Sequence, residues 1–301
     1  MSRKQLLAVL AVLLAGAMMA AAKEPGVKNV NRTVALNSGG LLRVETYKGS
    51  VQLEGWERDQ VQIEARIEPP EDVSDAYARQ VVEATEVEIT GGGSSVRIRS
   101  DYDRVPCQTG GWDWLGCSKV LPYVHYTIRA PRRLELELKD HKSRLTLAHL
   151  EGRVDLDSYK GEIQLSDIEG TLHLETYKGV LEADNLRGTL ALNTYKGEVK
   201  LTHLRSRVQA ETYKGEITIR GLALEGDSRL QTERGRIELV LPASQGFTLE
   251  AQMGRRADFW SDFEMTTTMA NDYRTRGQVN GGGPRLSLES NRGTIFLRRQ
   301  P

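Results

Sequence analysis

This 301-residue chain has only two cysteines, no excess charge of either sign and none of the usual catalytic signatures. Lys and Arg balance Asp and Glu at 41 each, so the basic surplus of a generic nucleic-acid binder is missing. Beyond the N-terminus no segment approaches the length of apolar run that a transmembrane helix needs, which excludes such a helix there. No glycine loop precedes a helix to cradle phosphate, no cysteine set has metal-ligand spacing, and no nucleophile sits on an elbow motif. Cofactor, metal and covalent hydrolase chemistry therefore have no visible foothold, and no cofactor is expected.

What is present begins with Arg3 and Lys4, an apolar run from Leu6 to Met19, and Ala20, Ala21 and Ala22 before Lys23. That order reads as a cleaved secretory signal peptide over residues 1–22. Removing it takes away Arg3 and Lys4 and leaves 39 basic against 41 acidic side chains, a net charge of −2. No cysteine lies near the cleavage site to take a lipid. The expectation is an exported mature chain, periplasmic or at the cell surface. In such an oxidising compartment Cys107 and Cys117, ten residues apart in a loop rich in Gly and Trp, are expected to be bridged rather than free. Closing that short loop contributes about 2 to 3 kcal/mol.

The tripeptide Tyr-Lys-Gly occurs five times, and four copies, at Tyr159, Tyr177, Tyr195 and Tyr213, keep one unbroken interval. Aligned on glycine, that interval halves: Gly152, Gly161, Gly170, Gly179, Gly188 and Gly197 recur every nine residues, followed by Ser206 in the glycine slot and Gly215. Counting that glycine as position 1, positions 3 and 5 are apolar, as in Val154 and Leu156 or Ile163 and Leu165. Positions 2, 4 and 6 are largely charged or polar, for example Glu162, Gln164 and Glu175. This period of two is a half-buried strand; the three- and four-residue spacing of a helix is absent. Position 8 is Tyr in one half and Leu150, Ile168, Leu186 or Leu204 in the other, which predicts that it points inward in both. Two strands and two glycine corners close one coil, and coils stacked at about 4.8 Å make an all-β, single-stranded β-solenoid with about 18 residues per coil.

Around the regular coils, expected over 134–241, the pattern varies. Residues 38–133 hold alternating strands, the isolated copy Tyr47-Lys48-Gly49, one short inserted helix from Asp72 to Thr85 and the cysteine loop. A two-residue insertion around Leu222 to Glu225 shifts the clock and brings Thr232-Glu233-Arg234-Gly235 into the slot of Thr212-Tyr213-Lys214-Gly215. Residues 242–301 form irregular C-terminal coils and a cap, with a long loop or capping excursion over 255–284. Residues 23–301 thus read as a single domain, its helix and excursion placed to cover strand edges that would otherwise invite aggregation.

The layout resembles the bacterial putative adhesin family, β-strand-repeat proteins whose domain has no assigned biochemical role. The resemblance rests on Leu42-Arg43-Val44-Glu45 with Gly49-Ser50-Val51 and Gly55-Trp56, on Tyr126-Thr127-Ile128-Arg129-Ala130-Pro131, on Gly235-Arg236-Ile237-Glu238-Leu239, and on Gly293-Thr294-Ile295. It covers nearly the whole mature chain and implies a single-stranded β-helix and surface adhesion. The sharp Tyr-Lys-Gly ladder and the cysteine loop depart from the family's looser glycine pattern.

Four features carry candidate chemistry. Lys160, Lys178, Lys196 and Lys214 form a column that could bind an acidic envelope polysaccharide or another polyanion; alternatively Asp157, Glu162, Glu175, Glu198, Glu211 and Glu216 neutralise it. The tyrosines are expected as core ladders rather than sugar platforms. Trp112 and Trp114, outside the repeat, are candidate contacts for a sugar or a protein partner, or else they fold back onto the solenoid. His149, Asp167, Asn185 and His203 form a hydrogen-bonding column whose two histidines, three coils and about 14 Å apart, are too distant for one metal ion. Asp157 and Glu175 look like the acid pairs of glycan hydrolases, but a periodic surface generates such pairs by arithmetic, and no coil stands apart as an active site would. The expected function is a non-enzymatic, exported solenoid, an adhesin or structural module of the cell envelope that binds an envelope polysaccharide or another envelope protein. The alternative is a carbohydrate-binding or polysaccharide-cleaving protein that uses one solenoid face.

Overall fold

The nine-residue glycine rhythm becomes register in the computed structural model, which describes residues 26–107 and 119–300. Strand β6 (Arg133–Asp140) runs parallel to the start of β7 (Lys142–Leu224), with Arg133 opposite Glu151 and Asp140 opposite Ser158. β7 is uninterrupted β-structure over 83 residues that winds back on itself, so that Gly161, Gly179, Gly197 and Gly215 lie one above another. The next rung, β8 (Ser228–Pro242), pairs Thr212 with Thr232 and Gly215 with Gly235, a longer offset that accommodates the two extra residues near Leu222.

Positions 3 and 5 of both halves are buried, among them Val154, Leu156, Ile163 and Leu165. Position 8 divides the halves. Ile168, Leu186 and Leu204 are buried as expected, whereas the four tyrosines are 38–40% exposed and point outward. The cause is local. In the leucine half, position 7 is His149, Asp167, Asn185 or His203, and all four adopt φ between 53° and 58°. One left-handed residue breaks the alternation and turns the next side chain inward. The tyrosine half has no such residue, so alternation runs on: Ser158, Thr194 and Thr212 at position 7 face the interior and tyrosine faces out.

Glycine at the corners answers a close approach as much as a turn. A Cβ on Gly197 would lie 2.2 Å from the Gly179 carbonyl oxygen of the coil beneath, with φ at +152°. Only a residue without Cβ lets the backbones stack there.

The ends depart from simple winding. Strands β1 (Lys28–Glu45), β2 (Lys48–Trp56), β3 (Gln60–Glu68), β4 (Glu86–Asp101) and β5 (Tyr123–Pro131) build the N-terminal end, where β3 runs antiparallel to both β1 and β5. Helix α1 spans Asp75–Ala84, inside the 72–85 expected. The Ser74 hydroxyl accepts from the Tyr77 N–H at its start, and Val81 and Val82 are buried. At the other end, residues 255–284 are more regular than the expected loop. β9 (Phe247–Ser261) continues through Trp260, and β10 (Thr266–Asn271) and β11 (Arg274–Val279) form an antiparallel hairpin on its outer edge. The final strand β12 (Arg285–Gln300) returns to lie parallel between β8 and β9. Among the described residues no helix is long and apolar enough to cross a membrane. The signal-peptide segment, Trp112, Trp114 and the pairing of Cys107 with Cys117 lie outside the described residues.

Candidate functional site

With position 8 turned outward, one tyrosine per coil places each ring directly over the last. Tyr159, Tyr177, Tyr195 and Tyr213 stack with ring centroids 4.9 Å apart and planes within 9°. The stack extends through His141, 4.8 Å from Tyr159, to Tyr47, 4.4 Å from His141. At its base Tyr47 meets Tyr102 edge-on, and burial pushes the Tyr102 phenol up to about 12. Burial, with Lys142 nearby, holds the His141 imidazole below its usual range. Because each ring covers the next, the inner tyrosines offer ring edges and hydroxyls to solvent, not faces. Sugar stacking on them is thereby excluded, and so is the core packing expected from the sequence.

The column at position 6 flanks the rings on the same outward face. Asp157, Glu175, Asn193 and Glu211 together with the four tyrosines line an open groove of about 550 Å³. A second depression of about 700 Å³, lined by His173, Gln209, Glu211 and Arg229 among others, continues that face. These are shallow periodic surfaces rather than a deep cleft. Asp157 and Glu175 do line the groove, but both are exposed to solvent.

On the other side of the rings, the predicted lysines occupy one column. The Nζ atoms of Lys160, Lys196 and Lys214 lie 5.0, 5.6 and 5.6 Å from the ring centroids of their neighbouring tyrosines. Lys178 is exposed. Among the described residues no carboxylate oxygen lies within 4.0 Å of any of the four ammonium groups. The carboxylates expected to neutralise them are engaged elsewhere or stand apart: Glu162 pairs with Arg144 at 2.9 Å and Glu198 with Lys200 at 3.0 Å. The structure therefore brings tyrosines, lysines and acidic groups together as three parallel columns.

The left-handed column is a hydrogen-bonded ridge. Asn185 Nδ2 donates to Asp167 Oδ1 at 2.5 Å, and His149 Nε2 lies 3.4 Å from Asp167 Oδ2. His203 Nδ1 instead meets Asp184 at 2.7 Å, and hydrogen bonds from Thr202 and His203 hold the Asp184 carboxyl below its usual value. Among the described residues no group of three or more His, Cys, Asp and Glu could hold a metal ion.

Sequence reasoning missed the outward tyrosine ladder. Its signal was position 7, where Asn, Asp and His tolerate the left-handed region in one half and Ser or Thr stands in the other.

The sequence profile of the family described as Toastrack DUF4097 matches residues 105–298. Solved structures that match include a putative lipid binding protein from Parabacteroides distasonis, 11% identical, covering 90% of this chain and 97% of its own, with a TM-score of 0.47. A putative adhesin from Bacteroides fragilis is 12% identical, covers 91% of this chain and 97% of its own, and has a TM-score of 0.33. A putative cell adhesion protein from Clostridium sporogenes is 11% identical, covers 91% and 100%, and has a TM-score of 0.25. No curated protein matches the chain.

Proposed function

The chain belongs to the Toastrack DUF4097 family, and from that premise we propose that it is an exported, non-enzymatic β-solenoid, one coil per Tyr-Lys-Gly interval, that serves as an adhesive or structural interaction module of the cell envelope. The supporting observation is the unbroken outward ladder of Tyr159, Tyr177, Tyr195 and Tyr213, flanked by its lysine and carboxylate columns. A surface that repeats every coil suits an extended partner that engages several rungs at once. Catalysis instead needs groups that converge on one point, and no rung of this surface differs from the next in that way. With export go a cleaved segment 1–22, a bridge between Cys107 and Cys117, and Trp112 and Trp114 as further contacts.

The groove lined by Asp157 and Glu175 favours a second reading, a carbohydrate-active face. Its weakness is that acid–base cleavage of a glycan needs one carboxyl kept protonated by dry surroundings, and both groups are exposed.

One experiment separates the readings. Residues 23–301 are incubated with isolated envelope fractions and with an array of soluble glycans, and both retention and new reducing ends are measured. Retention without cleavage is the expected outcome; new reducing ends would sink the non-enzymatic reading, and absence of retention on every fraction would sink the adhesive one.

A further inference from the structure

The lysine column does not end at four rungs. Register pairs Lys48 with Lys142, Lys214 with Arg234, Arg234 with Arg292, and Arg292 with Arg256. His141 and Tyr47 leave no break: the Lys160 N–H bonds to the His141 carbonyl and the Lys142 N–H to the Tyr47 carbonyl, which seats Lys142 between Lys48 and Lys160. The result is nine consecutive basic residues, one per rung: Lys48, Lys142, Lys160, Lys178, Lys196, Lys214, Arg234, Arg292 and Arg256. At the inter-strand spacing this line of charge is about 38 Å long. Sequence separation hides it, because Arg292 and Arg256 reach their places only through the return of β12 between β8 and β9.

Among the described residues none of the nine has a carboxylate within 4.0 Å. Off the line, Arg144, Arg205, Arg229 and Lys200 each hold one. At the start of the line, Lys48 Nζ lies 3.7 Å above the Tyr123 ring instead. Nine aligned like charges without partners repel one another and attract counterions, which a polyanion displaces on binding.

We infer that this corner is a track for a linear acidic polysaccharide, its carboxylates or sulfates spaced along the nine-rung line. The inference rests on the adhesive reading above and names its ligand class. Ligand width decides between polyanions. Along the Lys160–Lys214 rungs acidic columns flank the line on both sides, with Asp157, Glu175 and Glu211 beyond the tyrosines and Glu162, Glu198 and Glu216 on the neighbouring face. A thread-like chain touches the cations alone, whereas a flat anionic membrane or a duplex would also meet the flanking carboxylates. Duplex phosphates, moreover, spiral away from a straight line. Single-stranded nucleic acid would need free aromatic faces for its bases, and here the inner rings cover each other.

The test measures binding of residues 23–301 to polygalacturonate fragments of graded length, with dextran as neutral control and duplex DNA and phosphatidylglycerol vesicles as competing polyanions. Affinity is expected to rise with fragment length until the line is filled and to fall steeply with salt. Replacing Arg234, Arg256 and Arg292 by Gln is expected to cost about tenfold and to reduce the salt slope, as is replacing Lys160, Lys178, Lys196 and Lys214 by Gln. A control replacing Arg144, Arg205 and Lys200 by Gln removes as much charge off the line as the arginine variant does and is expected to stay within about twofold. Melting curves of every variant establish that it is folded. Equal losses in line and control variants, binding independent of fragment length, or tighter binding to DNA or vesicles than to polygalacturonate would each overturn the inference. If line variants kept full retention on envelope fractions, the track would fall while the adhesive reading stood; loss of all envelope retention by the unaltered chain would remove that reading itself.

Discussion

Tyr177 and Tyr195 lie face to face with ring centroids 4.9 Å apart and planes 5° apart, although a full coil of chain separates them. Free aromatic pairs prefer offset or edge-on contact. Here the distance between stacked coils, about 4.8 Å, sets the geometry, and the rings follow the backbone. Each inner ring exchanges contact with water for contact with two neighbours, so an outward column of apolar side chains becomes tolerable.

Tyr177→Ala removes two stacked contacts, whereas Tyr213→Ala removes one, since register puts Glu233 on the far side of Tyr213. The inner substitution is expected to cost about 1 to 3 kcal/mol and the terminal one about half of that. Urea unfolding of the two variants checks it. Equal costs would mean that burial against the strand, not stacking, holds the rings.

Gly197→Ala and Gly39→Ala separate two uses of glycine. Both residues have positive φ, but an added Cβ at Gly39 meets nothing within 4 Å, while at Gly197 it meets the Gly179 carbonyl oxygen at 2.2 Å. The first is expected to lose only left-handed strain, about 1 to 2 kcal/mol. The second must push coils apart and is expected to exceed about 4 kcal/mol or to leave no cooperative transition. Comparable melting temperatures for the two variants would refute the close-approach account.

Much of this architecture was legible in the sequence because its causes are local. The alternation of Val154 with Leu156 and of Ile163 with Leu165 reports burial directly, and Gly161, Gly179 and Gly197 mark where coils touch. Tyr159 faces out by plain alternation; what alternation alone did not show is that Ile168, its counterpart in the opposite half, departs from it. That departure depends on the backbone conformation of Asp167, which side-chain polarity hints at but does not state. The four lysines were visible as a column, but Arg234, Arg256 and Arg292 were not. Their alignment depends on a two-residue insertion and on a strand that returns out of order, and both are properties of long-range pairing.

Asp140 is buried among small polar side chains, taking hydrogen bonds from the Ser143 N–H at 2.9 Å and the Ser158 hydroxyl at 3.1 Å, while its Oδ1 has no partner. Burial raises its pKa in the folded state despite those bonds. A carboxyl raised on folding favours the native state while it is protonated and loses that contribution as pH rises through its unfolded and then its folded value. Asp140→Asn removes this titration. The variant's urea midpoint, compared with that of the unaltered chain, is therefore expected to improve from pH 4 to pH 7. A difference between the two proteins that does not change with pH would contradict the burial account.

The conformation of Asn185 tests the parity switch that turns position 8 of the leucine half inward. At φ +54° it sits in the left-handed region, turns Leu186 into the core, and donates to Asp167. Asn185→Gly keeps that region open and loses only the hydrogen bond, so a change of about 0 to 1 kcal/mol is expected. Asn185→Val places a β-branched side chain where φ is positive and loses the bond as well; about 3 kcal/mol is expected. Ala191→Val, on the outer face of a regular strand, controls for valine itself and is expected to stay within about 0.5 kcal/mol. If Asn185→Val were as mild as Ala191→Val, the left-handed residue would not be what reverses the alternation. Another cause would then be needed for Ile168 facing in where Tyr159 faces out.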